Sequence, residues 1–195
     1  PMADGGDGTL LAIVAATGGQ SVPCRVTDPL GRRIWSMFGL TGDGRTAVIE
    51  MALASGLALL KPQERNPMLT TSRGTGELIR AALDRRVREI VIGIGGSATN
   101  DGGMGLARAL GARFLDARNQ ELPDCGGALV RLARIDVSGL DARLKRTTIS
   151  VACDVDNPLC GPRGAARVYG PQNGATTARV KRLAAGVKRL AAVFP

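Results

Sequence analysis

Ile90-Val91-Ile92-Gly93-Ile94-Gly95-Gly96-Ser97-Ala98-Thr99-Asn100-Asp101-Gly102-Gly103 is the stretch on which the reading of the fold turns. Its first five residues are a short apolar run with β-branched side chains, the composition of a strand buried on both faces of a parallel sheet. Upstream, from Gly74, residues Leu78, Ile79, Ala82 and Leu83 recur at helical spacing, so a helix leads into that strand. Downstream, the loop from Gly95 to Gly103 gives way to a helical pattern over Met104 to Leu110, stopped by Gly111. A further strand is expected over Arg113 to Asp116. This is the grammar of an α/β protein with a Rossmann-like, parallel-sheet portion.

The flanks fill in around it. Thr9 to Thr17 is apolar nearly all round and closes on Gly18-Gly19, which predicts a short buried helix. Val22 to Glu50 alternates, with turn signals at Asp28-Pro29-Leu30-Gly31 and Gly42-Asp43-Gly44, and reads as a smaller mixed α/β section with antiparallel strands. Ala52 to Leu60 is expected to be helical. The loop Lys61 to Thr71, holding Pro62 and Pro67, suggests a boundary between a section 1–65 and an α/β portion 66–195. Thr148 to Cys153 reads as a strand. In the tail, Val180, Leu183, Val187 and Leu190 form one apolar stripe with Lys and Arg opposite, a surface helix.

Composition narrows the chemistry. The 195 residues can bury a full core without disulfide staples. There is no histidine, so a Ser-His-Asp triad, a Cys-His pair, a His-ligated zinc or a histidine base cannot be built from this chain alone. Cys24, Cys125, Cys153 and Cys160 make no CxxC pair and read as reduced packing residues. No run of about 18 apolar residues occurs, which predicts no membrane helix and a cytoplasmic protein. The net charge of +9 raises a basic nucleic-acid-binding module as an alternative. Against it, the basic residues are spread out and aromatics are only 3%, too few to interleave with them for base stacking. Glycine stands out at 27 residues, which points to tight functional loops between aliphatic layers.

The loop 95–103 leaves a strand and enters a helix, where backbone N–H groups converge on an anion. Gly95 and Gly96 would let a phosphate come close, and Ser97, Thr99 and Asn100 add neutral hydrogen-bonding groups. Asp101, the one charge in the loop, suits a base or a Mg²⁺ ligand, and the set favours phosphoryl transfer. The same letters satisfy G-x-G-x-x-A through Gly93, Gly95 and Ala98, with Asp116 placed as a ribose-binding acid. An NAD-binding oxidoreductase is therefore the competing reading. It is opposed by Thr99 to Gly103, which set a carboxylate where pyrophosphate would lie. Asp4 and Asp7 sit in a glycine loop ahead of the Thr9 helix, where an N-cap serves equally well. Asp154 and Asp156, two apart at a strand end, point the same way in an extended chain, toward a metal or a polyhydroxy substrate. Asn157-Pro158 suits an Asx turn there.

In order along the chain, Asp4 to Thr9, Thr46 to Met51, Gly93 to Gly103, Cys153 to Pro158 and Gly170-Pro171-Gln172-Asn173-Gly174 resemble the bacterial class I glycerate kinases. The resemblance covers almost the whole chain, and the block from Gly93 to Gly103 is long and unusual. It implies a two-domain α/β enzyme that phosphorylates D-glycerate with ATP and Mg²⁺, at the 2-hydroxyl. Carried over by motif, Gly95, Gly96, Ser97, Thr99, Asn100, Asp4, Asp154, Asp156 and Asn157 would bind substrate, Asp101 and Asp7 would be catalytic, and Asp101 and Asp154 would hold Mg²⁺. The implied partners are glycerate and ATP, with no nucleic acid or membrane, and a homo-oligomer is left open. At Asp7 the family usually has Glu. Its members also carry a Pro-Asp-Ser-Phe-Lys-Gly-type loop before these motifs and a Gly-Glu-Gly-Arg-type loop after them. Neither occurs here, so the chain is expected to be a fragment, inactive alone, with apolar faces uncovered at the Thr9 helix and the Ile90 strand.

Overall fold

The computed structural model describes residues 8–194. The chain enters through α1 (Thr9–Ala16) and then folds up and down through β1 (Gln20–Thr27), β2 (Arg33–Leu40) and β3 (Thr46–Glu50), each antiparallel to the last. The first turn is locked by Asp28, whose carboxylate accepts from the Leu30 and Arg32 amides and pairs with the Arg32 guanidinium. In the second, Asp43 accepts from the Thr41 hydroxyl and the Arg45 amide. Both turns fall where the polar residues of the sequence put them. The expectation of a buried α1 holds on one flank only, since Thr9 and Leu10 are buried while Leu11 is 61% exposed. α1 lies directly on β2 at Gly39, where a Cβ would come within 2.6 Å of Val14 Cγ2.

After β3 comes α2 (Ala52–Ser55), shorter than the helix expected to Leu60. Gly56 leaves helical geometry at φ −87°, ψ 157° and bridges to Ser97, so a backbone contact with the glycine loop ends the helix early. A loop with short 3-10 turns leads to α3 (Arg73–Asp84), whose apolar stripe is Leu78, Ile79, Ala82 and Leu83. That stripe packs on Val26, Phe38, Ile49, Ile90 and Ile92 to make the main core. Full burial of each large aliphatic or aromatic side chain is worth about 1.5–3 kcal/mol, so this face fixes the fold. β4 (Glu89–Gly93) lies parallel to β3 as the apolar run requires.

The chain then makes an excursion away from the sheet. α4 (Met104–Ala109) leads to β5 (Arg113–Leu115) and β6 (Arg134–Asp136), which pair with each other, antiparallel, apart from the large sheet. It returns as β7 (Thr148–Ala152), parallel to β4, and closes with α5 (Ala165–Tyr169) and α6 (Thr177–Val193). The stripe Val180, Leu183, Val187 and Leu190 of α6 is buried, and a second core joins Val187 and Leu190 to Met104, Phe114, Leu129 and Leu132. The result is an α/β fold with a mixed five-stranded sheet, order β1-β2-β3-β4-β7, beside a two-stranded one. Strands from either side of positions 65 and 66 share the large sheet. Ile90, expected to be uncovered, is 0% exposed because it packs in the main core with the α3 stripe; on β7 beside it, Ile149 is 41% and Val151 54% exposed. Among the described residues no helix is long and apolar enough to cross a membrane.

Candidate active site

Glu50, Gly93 and Ala152 pair across β3, β4 and β7, so these parallel strands end level with one another. The residues that follow, Met51, Gly95 and Asp154, line one cleft of about 400 Å³. Ligands of open α/β sheets bind at this carboxyl edge, where loops fan out from the strand ends. The loop after β4 supplies most of the wall, through Gly95, Gly96, Ser97, Thr99, Asn100 and Asp101. It is fastened from behind: Ser55 O accepts from the Ala98 amide at 2.9 Å, Gly96 O from the Leu57 amide at 2.8 Å, and Ala98 O from the Thr70 hydroxyl at 2.9 Å. Gly96 turns the chain at φ +68°, a conformation that side-chain-bearing residues adopt only at a cost.

Asp101 has a structural setting that the sequence reading does not include. Its side chain is buried, with the residue 1% exposed, and both oxygens are engaged. Oδ2 accepts from the Ser72 amide (2.8 Å), the Ser72 hydroxyl (2.8 Å) and the Gly105 amide (3.1 Å), and Oδ1 accepts from the Gly103 amide (3.1 Å). Ser72 Oγ in turn accepts from the Leu106 amide at 3.0 Å. Asp101 and Ser72 therefore clasp the first turns of α3 and α4, satisfying N–H groups that have no partner within their helices. Burial pushes the Asp101 carboxyl above the usual carboxylate range, against the pull of these hydrogen bonds. Both oxygens thus hold the loop to the two helix starts, while Asp101 still lies on the cleft wall and Oδ1 accepts a single hydrogen bond.

Of the three polar residues after β7, only Asp154 is on the cleft wall. Asp156 is exposed and off the wall, and Asn157 is spent on its own loop: Oδ1 accepts from the Tyr169 hydroxyl at 2.7 Å and Nδ2 donates to Arg163 O at 3.3 Å. β7 ends at Ala152, so both Asp154 and Asp156 lie in the loop that follows it. Asp4 and Asp7 lie outside the described residues. The helix they precede is tethered to the cleft rim by the buried Glu50, whose Oε1 accepts from the Leu10 amide at 2.6 Å.

The cleft also has walls that the candidate set omitted: Ser72 and, from the segment around Gly170, Tyr169, Gln172 and Asn173. Two side chains there are unusual. Asn173 is 1% and Asn100 8% exposed, and among the described residues neither Oδ1 has a hydrogen-bond partner. No Lys or Arg lines the cleft among the described residues. A more open hollow of about 700 Å³ shares Leu159 with it and carries Arg167, Lys181 and Lys188. Among the described residues no group of three or more His, Cys, Asp or Glu is placed to hold a metal ion. Asp154 and Asp101 are the two carboxylates on the cleft wall, and Asp154 is the exposed one.

The dinucleotide reading fails on topology. β5, whose end was to supply a ribose-binding acid, is not in the sheet with β4, and Asp116 instead closes a turn by accepting from the Arg118 and Gln120 amides. Fold and cleft define an α/β protein with an open, partly polar cleft at the carboxyl edge of its parallel strands. All of residues 1–195 match the family model described as the glycerate kinase family, and the chain belongs to that family. It is 60% identical over 176 residues to a glycerate kinase of Bacillus subtilis, covering 90% of this chain and 46% of that protein. With the glycerate 2-kinase of Escherichia coli it shares 55% over 183 residues, 94% of this chain and 48% of the other. A candidate glycerate kinase 2 from Salmonella typhimurium LT2, solved by crystallography, superposes with a TM-score of 0.97 at 55% identity, over 99% of this chain and 52% of that one. The chain thus spans about half the length of the relatives it matches.

Proposed function

We propose that the protein containing this chain transfers the γ-phosphoryl group of ATP to D-glycerate, at the 2-hydroxyl, in the cytoplasm. The observation that carries the proposal is the cleft at the level ends of β3, β4 and β7, walled by the loop 95–103 and Asp154. The glycerate hydroxyl oxygen bonds to the γ-phosphorus as the bond to the ADP oxygen breaks, and the hydroxyl proton passes to a carboxylate. Phosphoryl transfer asks a protein chiefly for positioning and charge stabilisation, which suits a loop fastened at its back by backbone hydrogen bonds.

Within that reading, Gly95 and Gly96 let substrate approach the backbone, Ser97 and Thr99 hydrogen-bond it, and Asp154 is the carboxylate facing it. Mg²⁺ held at Asp154 would offset phosphate charge. The hollow with Arg167, Lys181 and Lys188 offers cations for the phosphate chain of the nucleotide. Asp7 with Asp4, from their place in the motif before α1, are assigned to proton transfer and substrate contact. Asp101 positions the loop. The test is ADP release by the full-length protein supplied with ATP, Mg²⁺ and D-glycerate, with the product assigned as 2- or 3-phosphoglycerate by phosphorus NMR. ADP release no faster than without glycerate would refute the assignment.

A further inference from the structure

The five-stranded sheet has two edges, and they are built differently. β1, at one end, carries Pro23 at mid-strand and an exposed Arg25, two devices that keep another strand from pairing with an edge. β7, at the other end, reads Thr148-Ile149-Ser150-Val151-Ala152, with no proline and no charge. It pairs with β4 along one side, and among the described residues no strand pairs with the other. An uncharged edge with β-branched apolar residues is a hazard in a protein that leaves it open.

Burial falls away toward the same edge. Ile90 with Ile149, and Ile92 with Val151, are side-by-side pairs on one face of the sheet. Ile90 and Ile92 pack with the α3 stripe and are 0% and 5% exposed, whereas their neighbours on β7 are 41% and 54% exposed. On the opposite face the gradient repeats, from buried Val48 on β3 through half-buried Val91 to exposed Ser150. Parallel strands are ordinarily covered on both faces, and β7 is parallel to β4. The relatives are about twice as long as this chain, so a protein of their size has about as many residues again to supply the cover.

We propose that β7 is an interior strand of the full-length protein: a strand from the part outside residues 1–195 pairs along its open edge, and an apolar helix face from that part covers Ile149 and Val151. A second copy of this chain is the rival occupant. Edge-to-edge pairing with a copy would satisfy the backbone of β7 but lay no helix over those two side chains. Asp154 follows β7 by two residues and stands on the cleft wall, so one end of the added strand would open beside it, whatever the reaction there.

Hydrogen exchange of the full-length protein, read residue by residue, tests this. Alternate amides of a parallel strand point to opposite sides; the Thr148 amide donates to Arg88 O on the β4 side, so those of Ile149 and Val151 face the open edge. They should exchange at least about a hundredfold more slowly than unprotected amides, and equally slowly at every protein concentration. Exchange at the unprotected rate would overturn the proposal. Protection lost on dilution, with a dimer seen by light scattering at the higher concentration, would give the edge to a second copy and overturn it too. Photo-crosslinking from a Val151→benzoylphenylalanine variant should link to a peptide outside residues 1–195. A link only within residues 1–195 would overturn the proposal, and the exchange measurement on wild type decides should that variant fail to fold.

Discussion

Replacing Asp101 by asparagine keeps the side chain's shape and removes one acceptor from a point where four donors meet. The amide has two ways to sit. With its nitrogen in place of Oδ2 it would face the Ser72 amide, the Ser72 hydroxyl and the Gly105 amide at once; in place of Oδ1 it faces only the Gly103 amide. The second costs less. It loses one hydrogen bond and leaves a buried N–H unpaired, about 1–3 kcal/mol, offset in part because a neutral side chain no longer carries the desolvation that raises the aspartate's pKa. We expect Asp101→Asn to destabilise the full-length protein by about 2 kcal/mol in urea unfolding. Turnover should fall as well, with a raised KM, because Asn100 and Ser97 ride on the loop that Asp101 clasps. The sequence alone pointed to a base or a Mg²⁺ ligand, whose loss lowers turnover by about a hundredfold or more without touching stability. The two readings separate cleanly. A variant as stable as wild type, slowed at least a hundredfold with KM unchanged and with an altered pH–rate profile, would refute the clasp and restore the base.

Gly96→Val should abolish ligand binding, measured calorimetrically, while the protein still melts cooperatively at a reduced temperature, because φ +68° strains a β-branched residue by a few kcal/mol; failure to fold at all would make Gly96 a purely structural turn. At Gly105 a Cβ would lie 2.2 Å from Thr71 Oγ1 and 2.6 Å from the Arg73 amide nitrogen, so Gly105→Ala should push α3 and α4 apart and lower stability by about 1–3 kcal/mol, read by urea unfolding; no change would show that the helices give way freely. Acid should destabilise the fold. Asp43, Asp116, Asp136 and Asp141 are held below the ordinary aspartate value of about 4 by, first, the Thr41 hydroxyl, the Gln120 amide, the Ser138 hydroxyl and the Arg143 guanidinium, so their contribution is present above that value and lost as pH falls through the lowered ones. Asp101, raised by burial, runs the opposite way, and what its protonated form contributes is lost as pH rises. A urea midpoint unchanged between pH 6 and pH 3 would contradict the acid-side prediction. The isolated 195-residue chain should show no glycerate phosphorylation and should self-associate in light scattering, since Leu11, Ile149 and Val151 present apolar surface; turnover of about 1 per second or more by a monomer would refute both parts.

The sheet was legible wherever a pattern is local. The apolar run at Ile90, the stripe Leu78-Ile79-Ala82-Leu83 and the stripe of α6 are periodicities that burial imposes directly on neighbouring residues, and each element formed where its pattern predicts. What the pattern cannot carry is partnership. β5 has the letters of a strand, yet nothing in Arg113 to Leu115 says that its partner is β6 rather than β4; that is fixed by Phe114 packing with Leu129, Leu132 and α6, residues far along the chain. The site followed the same rule. The loop 95–103 was visible from its glycines, and Asp154 from its place at a strand end. Asn173 was not, since a buried asparagine in a short loop has no periodicity and is marked only by its motif neighbours from Gly170 to Gly174.

Asp101 shows how a charge in such a loop can also serve the fold. In sequence it was the one ionisable group among glycines and neutral donors, which made it the natural candidate for chemistry. In the fold, two helix N-termini arrive beside it with unpaired N–H groups, and the carboxylate answers those first because they are close, fixed and shielded from water. Its negative charge at the start of α3 and α4 is favourable for the same reason. Its neighbour Asn100 keeps an Oδ1 that is buried and has no hydrogen-bond partner among the described residues. The geometry thus ties the one charge of the loop to the starts of α3 and α4, while Ser97 and Thr99 on the same wall hydrogen-bond each other.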